Sequence, residues 1–351
     1  MQYNYSHGAD TFKYENASKI IDFSSNINPL GIKEKWIQID LKKLSEYPDN
    51  FATKLREKLA TIHKLDKDNY IIGNGASDIL FRYIYATKPK KVLLCAPSFS
   101  EYVKALNSIN SSITYYNLKE EKDFVLDEEY LEILKQNDYD LIILTHPNNP
   151  NGSLIPKEIA KKLLEYTKKK QINTFIDECF IDLVYDKNKY SLKQYLNNNK
   201  QLFILDAFTK SYALAGLRIG YGISANIKLI QSLYLYGPDW PVNQIALQTA
   251  LNALNEEYYL ENSIDYLKKE YQKLKAALLE LNYQVINTTT NFILIKGQNR
   301  QLKEDLLKYD ILIRDCSNYQ NLATGWYRIA IKDEQANNKL INTLKRIDNN
   351  D

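Results

Sequence analysis

Between about residues 50 and 235, short apolar runs alternate with longer stretches whose hydrophobic positions return every three or four residues. The runs are Tyr70–Ile72, Lys91–Cys95, Asp140–Leu144, Asn173–Ile176, Gln201–Leu205 and Leu217–Gly222. They are apolar on both faces, as buried strands of a mainly parallel sheet are. The clearest helical stretch is Pro156 to Lys170. Pro156 opens it, and Ile159, Leu163, Leu164 and Thr167 share one face. This alternation predicts an α/β domain with a mainly parallel sheet.

After about residue 255 the pattern changes. A long amphipathic helix is predicted from near Tyr258 to Leu281, with apolar positions at Ile264, Leu267, Tyr271, Leu274, Leu278 and Leu281. A strand (Asn291 to Ile295), a helix (Leu302 to Tyr309), strands at Ile311–Ile313 and Tyr327–Ile331, and a closing helix (Glu334 to Ile347) follow. The predicted organisation is a large α/β domain over 46–255 and a smaller α+β domain over 256–351, which the segment 1–45 joins.

Composition narrows the function classes. The 351 residues are 44% hydrophobic and 25% charged with a net charge of +3, which fits a globular chain and gives no support to nucleic-acid or polybasic membrane binding. Cys95, Cys179 and Cys316 lie far apart with no CxxC spacing, so neither a disulfide scaffold nor a structural zinc site is expected. The N-terminus shows no basic segment followed by an apolar one, and no apolar run reaches the roughly 20 residues of a spanning helix. A soluble, cytoplasmic protein is expected.

Ligands of open α/β sheets bind beyond the carboxyl ends of the strands. The apolar runs are followed there by Gly73-Asn74-Gly75-Ala76-Ser77-Asp78, by Ala96-Pro97-Ser98-Phe99, by His146-Pro147-Asn148-Asn149-Pro150-Asn151-Gly152, by Asp177-Glu178-Cys179-Phe180 and by Asp206-Ala207-Phe208-Thr209-Lys210-Ser211. Each has a bland reading. The glycine turn is an ordinary capped turn, Asn149 part of a β-turn, Phe99 plain core and Lys210 a solvated lysine. Asp78 holds the third glycine position of a dinucleotide motif, which argues against a nicotinamide oxidoreductase. A lone phosphate on the helix N-terminus fits better, with Arg218 as its charged contact.

Taken jointly, the rim residues make one chemistry. A lysine amine holds a carbonyl cofactor as a Schiff base, and a carboxylate keeps a pyridine nitrogen protonated. An aromatic face stacks on the ring, an amide bonds its hydroxyl, and a helix N-terminus with an arginine holds a phosphate. That set describes pyridoxal 5′-phosphate.

From about Asp22 to Ala330 the chain resembles the fold-type-I pyridoxal-phosphate enzymes of aminotransferase class I/II. The most specific segment is Thr209-Lys210-Ser211-Tyr212-Ala213-Leu214-Ala215-Gly216-Leu217-Arg218. The resemblance implies that Lys210 carries the cofactor, Arg218 binds its phosphate, Phe99 stacks on the ring, Asn149 bonds the 3′-oxygen and Asp177 pairs with the ring nitrogen. It also implies that Ala76, Ser77 and Thr209 line the phosphate, and that Tyr47 reaches it from the partner subunit of a homodimer. Arg328 resembles the arginine that binds the substrate's anionic group.

Two subfamilies share these motifs, the histidinol-phosphate aminotransferases and the threonine-phosphate decarboxylases of cobalamin synthesis. The chain resembles the decarboxylases more at His7-Gly8, at Asp22-Phe23-Ser24-Ser25-Asn26-Ile27-Asn28-Pro29-Leu30-Gly31 and at Ile313-Arg314-Asp315-Cys316-Ser317-Asn318-Tyr319. That likeness implies that His7, Asn26, Arg314 and Arg328 hold a phosphorylated amino acid. Two positions depart from the family. Phe180 stands where many aminotransferases carry a tyrosine that bonds the 3′-oxygen, and Ala207 replaces a hydroxyl near the phosphate. The expected activity is decarboxylation of an O-phosphorylated amino acid; aminotransfer is the alternative. A non-catalytic, cofactor-binding regulator is remote, since no basic helix pair precedes the cofactor domain.

Overall fold

The computed structural model describes residues 8–348, so His7 lies outside the described residues. Thirteen strands occur in this stretch. They are β1 (Ile21–Asp22), β2 (Tyr70–Gly73), β3 (Lys91–Ala96), β4 (Ser112–Asn117), β5 (Leu141–Thr145), β6 (Asn173–Asp177), β7 (Leu202–Ala207), β8 (Gly220–Ser224), β9 (Gln284–Val285), β10 (Phe292–Lys296), β11 (Ile311–Leu312), β12 (Arg314–Asp315) and β13 (Trp326–Ala330). Seven of them form one sheet in the order β2-β8-β7-β6-β5-β3-β4. Only β8 runs against its neighbours, so the expected mainly parallel sheet is present.

Alternation along each buried strand splits its side chains between two layers. Ile72, Leu93, Ile142, Ile176 and Ile204 enter one core. Ile71, Val92, Leu94, Ile143, Phe175, Phe203 and Leu205 enter the other. Helices cover both faces, among them Ala76–Thr87 and Lys157–Lys170. Pro156 caps the latter rather than lying inside it, and its predicted face (Ile159, Leu163, Leu164, Thr167) is buried.

Two expectations for this sheet need correction. The edge strand β4 carried no apolar run, because exposed positions alternate along it with half-buried ones and the buried Tyr116. The run Leu217–Gly222 is not one strand. Ala215–Leu217 forms a single 3-10 turn, Arg218 sits at φ 53°, and the strand begins at Gly220. Because β8 is antiparallel, its beginning lies at the rim where its neighbours end, and this delivers Arg218 there.

The C-terminal part folds on a four-stranded antiparallel sheet in the order β12-β13-β10-β9. The helix Tyr259–Glu280 packs on it, burying Leu267, Leu274 and Leu278, while Glu334–Asp348 buries Leu340 and Leu344. Ile311–Ile313, expected as one strand, divides. Ile311–Leu312 pairs in parallel with Ile21–Asp22, and Arg314–Asp315 joins the four-stranded sheet. The N-terminal segment thus touches both parts. Phe23 belongs to the C-terminal core, and Trp36 packs edge-on against Tyr259 and Tyr212 in the core of the large sheet. All three cysteines are buried and free. Among the described residues no helix is long and apolar enough to cross a membrane.

Candidate active site

One cavity of about 230 Å³ opens at the rim of the large sheet, facing the C-terminal part. Every expected cofactor-binding residue except Tyr47 lines it, and so do Asn26, Arg314 and Arg328. Tyr47 lies elsewhere, 80% exposed and stacked on Trp240 at 4.4 Å.

The phosphate end is built on the start of the helix Ala76–Thr87, which no side chain caps. Asp78 serves the turn instead of the helix end, accepting from the Asn74 amide at 2.9 Å and pairing with Arg82. Two glycines clear the space. A Cβ on Gly75, held at φ 81°, would lie 2.7 Å from the Arg218 guanidinium. A Cβ on Gly220 would lie 2.9 Å from the Ala76 nitrogen. Helix amides, the Ser77 and Thr209 side chains and Arg218 therefore meet in a pocket no larger side chain invades, a donor set suited to a phosphate.

Asp177 ends β6 deep in the cavity. Its carboxylate accepts from the Tyr102 hydroxyl at 2.6 Å and the Cys179 amide at 3.0 Å. Burial pushes its pKa up, with those hydrogen bonds opposing. A protonated ring nitrogen beside it would supply the positive charge that favours the carboxylate. Lys210 follows β7 in the short helix Phe208–Ser211. Burial first, then Arg328 and Arg218, lower its pKa to about 8, with Cys179 opposing. A larger share of its amine is therefore neutral and nucleophilic near neutrality than in an ordinary lysine.

At the other end, β12 and β13 place Arg314 directly opposite Arg328. Both are buried, at 7% and 6% exposure. Arg328 donates to Asn149 Oδ1 at 2.5 Å and to the Ser24 carbonyl at 2.8 Å, while its Nε has no protein partner. Arg314 donates to Asn318 at 2.8 Å and lies over the Tyr319 ring. Asn26 is buried with its Oδ1 unbonded. Two guanidiniums facing each other across a ladder repel unless an anion lies near both.

The two departures also line the cavity. Phe180 packs edge-on against Phe292 at 5.1 Å, and the Arg328 guanidinium lies 5.4 Å from the Phe292 ring. Phe180 thus backs the Phe292 ring that Arg328 lies over, and presents no hydroxyl of its own. Ala207 leaves its wall without a hydroxyl, as expected. Sequence reasoning missed Tyr102, Thr145 and Tyr319. The available signal for Tyr102 was its position three residues after Phe99, at the start of a helix that turns back over the rim.

A large sheet of this topology with a buried lysine, carboxylate and phosphate pocket at its rim defines a fold-type-I pyridoxal-phosphate enzyme. The chain belongs to the aminotransferase class I and II family, whose model matches residues 18–344. It is 37% identical over 347 residues to a chain from Caldanaerobacter subterraneus subsp. tengcongensis whose name, threonine-phosphate decarboxylase, is provisional; 97% of this chain and 93% of that one are covered. The threonine-phosphate decarboxylase of Salmonella typhimurium is 30% identical over 335 residues, covering 94% and 91%. Among solved structures, the histidinol-phosphate aminotransferase from Clostridium acetobutylicum aligns with a TM-score of 0.87 at 35% identity, covering 93% and 99%. The cofactor is pyridoxal 5′-phosphate, and the donors described above fit it.

Proposed function

We propose that the chain decarboxylates an O-phosphorylated amino acid, foremost L-threonine O-3-phosphate, giving (R)-1-aminopropan-2-yl phosphate for cobalamin synthesis. The observation that carries the reading is the cross-strand pair Arg314 and Arg328 at the cavity wall. A substrate with both a carboxylate and a phosphate answers two adjacent guanidiniums better than one with a single anion.

Bound pyridoxal 5′-phosphate supplies an electron sink for the pair left when a bond to Cα breaks. Lys210 is its attachment point, Asp177 holds the proton on the ring nitrogen, Phe99 covers the ring face and Asn149 bonds the 3′-oxygen. Ala76, Ser77, Thr209 and Arg218 hold the cofactor phosphate. Arg314, Arg328 and Asn26 fix the substrate, and that orientation selects the Cα–carboxylate bond over the Cα–hydrogen bond. As the carboxylate is lost as carbon dioxide, Lys210, released from the cofactor as its ammonium, would give a proton to Cα and be left as the neutral amine.

The likeness to the Clostridium acetobutylicum structure favours a second reading, aminotransfer with histidinol phosphate. A decarboxylase needs no second substrate, whereas an aminotransferase must pass its amino group to an oxo acid. L-threonine O-3-phosphate alone should therefore release carbon dioxide catalytically, without 2-oxoglutarate. Arg314→Ala or Arg328→Ala should each cost about 1.5–3 kcal/mol, roughly ten- to a hundredfold in kcat/KM. Histidinol phosphate turnover that depends on 2-oxoglutarate, with no carbon dioxide from threonine or serine phosphate, would decide for the aminotransferase.

A further inference from the structure

Beneath the rim, on the side of the sheet away from the cavity, lies a cluster of buried charges that the proposed chemistry does not use. Strands β6 and β7 run parallel with Asp177 opposite Leu205, and their ladder ends with the Glu178 amide donating to the Leu205 carbonyl at 2.8 Å. Beyond that bond the two rim turns diverge, one leaving from Asp177 and the other leading through Ala207 to Lys210. Successive strand residues point to opposite faces. Asp177 lines the cavity, whereas Glu178 and Asp206 do not.

The Lys193 ammonium, from the 3-10 stretch Leu192–Asn198, lies between these two carboxylates. It is 2.6 Å from Asp206 Oδ2 and 3.2 Å from Glu178 Oε2, and the side chains of the three are 12%, 1% and 0% exposed. The carboxylates have further donors of their own. Glu178 accepts from the Ser191 hydroxyl at 2.7 Å and the Leu192 amide at 2.6 Å. Asp206 accepts from the Tyr221 hydroxyl at 2.8 Å and the Ala207 amide at 2.7 Å. Lys193 is the group that reaches both.

We infer that Lys193 is a positioning residue, whose ammonium clamps the turn carrying Asp177 to the turn carrying Lys210 and so fixes the separation of the two groups. One ammonium between two buried carboxylates turns their repulsion into a bridge, and the bridge sits next to Asp177 and four residues before Lys210. Burial pushes the Asp206 carboxyl up to about 7, Lys193 pulls it down, and Asp182 pushes it up again. Removing Lys193 leaves two buried carboxylates without their shared cation, and replacing Asp206 by Asn in the same chain takes one of those charges away.

The inference rests on the reading of Asp177 and Lys210 as two ends of the cofactor site. Its test is titration of cofactor-free protein with pyridoxal 5′-phosphate, followed by absorbance, beside thermal melting and steady-state kinetics. Lys193→Met should bind the cofactor at least about tenfold more weakly and lose at least about tenfold in kcat, with the substrate KM within about twofold. Lys193→Arg should recover most of both. Lys193→Met combined with Asp206→Asn should recover the melting temperature but not the cofactor affinity. Wild-type affinity in the single variant, or affinity restored together with stability in the double variant, overturns the inference by reducing Lys193 to charge compensation. Should the single variant fail to fold, the double variant decides alone. A wild-type chain that captures no cofactor on Lys210 would instead overturn the site reading, whatever Lys193 does.

Discussion

Lys210 holds its amine among cations, and this makes its ionisation a readout of the site. Burial, Arg328 and Arg218 bring its pKa to about 8. Capture of pyridoxal 5′-phosphate by the cofactor-free chain, trapped with borohydride, should therefore follow one ionisation near pH 8. Arg328→Ala removes a lowering charge, so the midpoint should move upward; an unmoved midpoint would show that Arg328 does not act on Lys210. The same depressed pKa has a stability consequence. From about pH 8 up to the ordinary lysine value, the unfolded chain binds the proton that the folded chain has lost, so this group favours folding more as pH rises through that window. Lys210, Asp177, Asn149 and Phe99 were legible in the sequence because each closely follows an apolar run. Tyr102 was not, because a buried tyrosine on a helix reads as core. Nor was the adjacency of Arg314 and Arg328, which depends on the register of β12 against β13, and register is set by pairing rather than by either strand alone.

At the scale of elements, the phosphate pocket depends on close approaches that only glycine allows. Gly75 adopts φ 81°, and its missing Cβ leaves room for Arg218. Gly75→Ala is strained on both counts, by conformation and by a 2.7 Å contact. It should cost about 1 kcal/mol or more of stability in denaturant melts. It should also weaken cofactor binding, because Arg218 must retreat; a variant that binds normally would remove Arg218 from the phosphate. The strand–turn–helix logic that predicted this pocket also explains where the fold was misread. Buried strands announce themselves by continuous apolar residues, whereas β4 at the sheet edge alternates exposure and leaves a fainter trace. The reversed direction of β8 had no sequence signal, yet it brings Arg218 to the rim from the strand's beginning.

At the scale of the molecule, Tyr47 is the expected cofactor-binding residue that does not enter its own chain's cavity. It stands 80% exposed and stacks on Trp240. Leu41, Leu44, Phe51 and Leu235 are exposed as well, at 78%, 45%, 51% and 83%. Large apolar side chains left open in this number suit a surface that a second copy covers. We propose an isologous dimer in which each Tyr47 would cross to the opposite phosphate, giving two composite sites. The prediction is complementation. Lys210→Ala and Tyr47→Phe chains, each impaired as homodimers, should on co-expression form heterodimers with one doubly defective site and one intact site. Activity in the purified heterodimer should then approach half that of the wild type, since one of two sites works. Heterodimers with no more activity than the mean of the two homodimers would place Tyr47 outside the cofactor site and leave the cavity complete within a single chain.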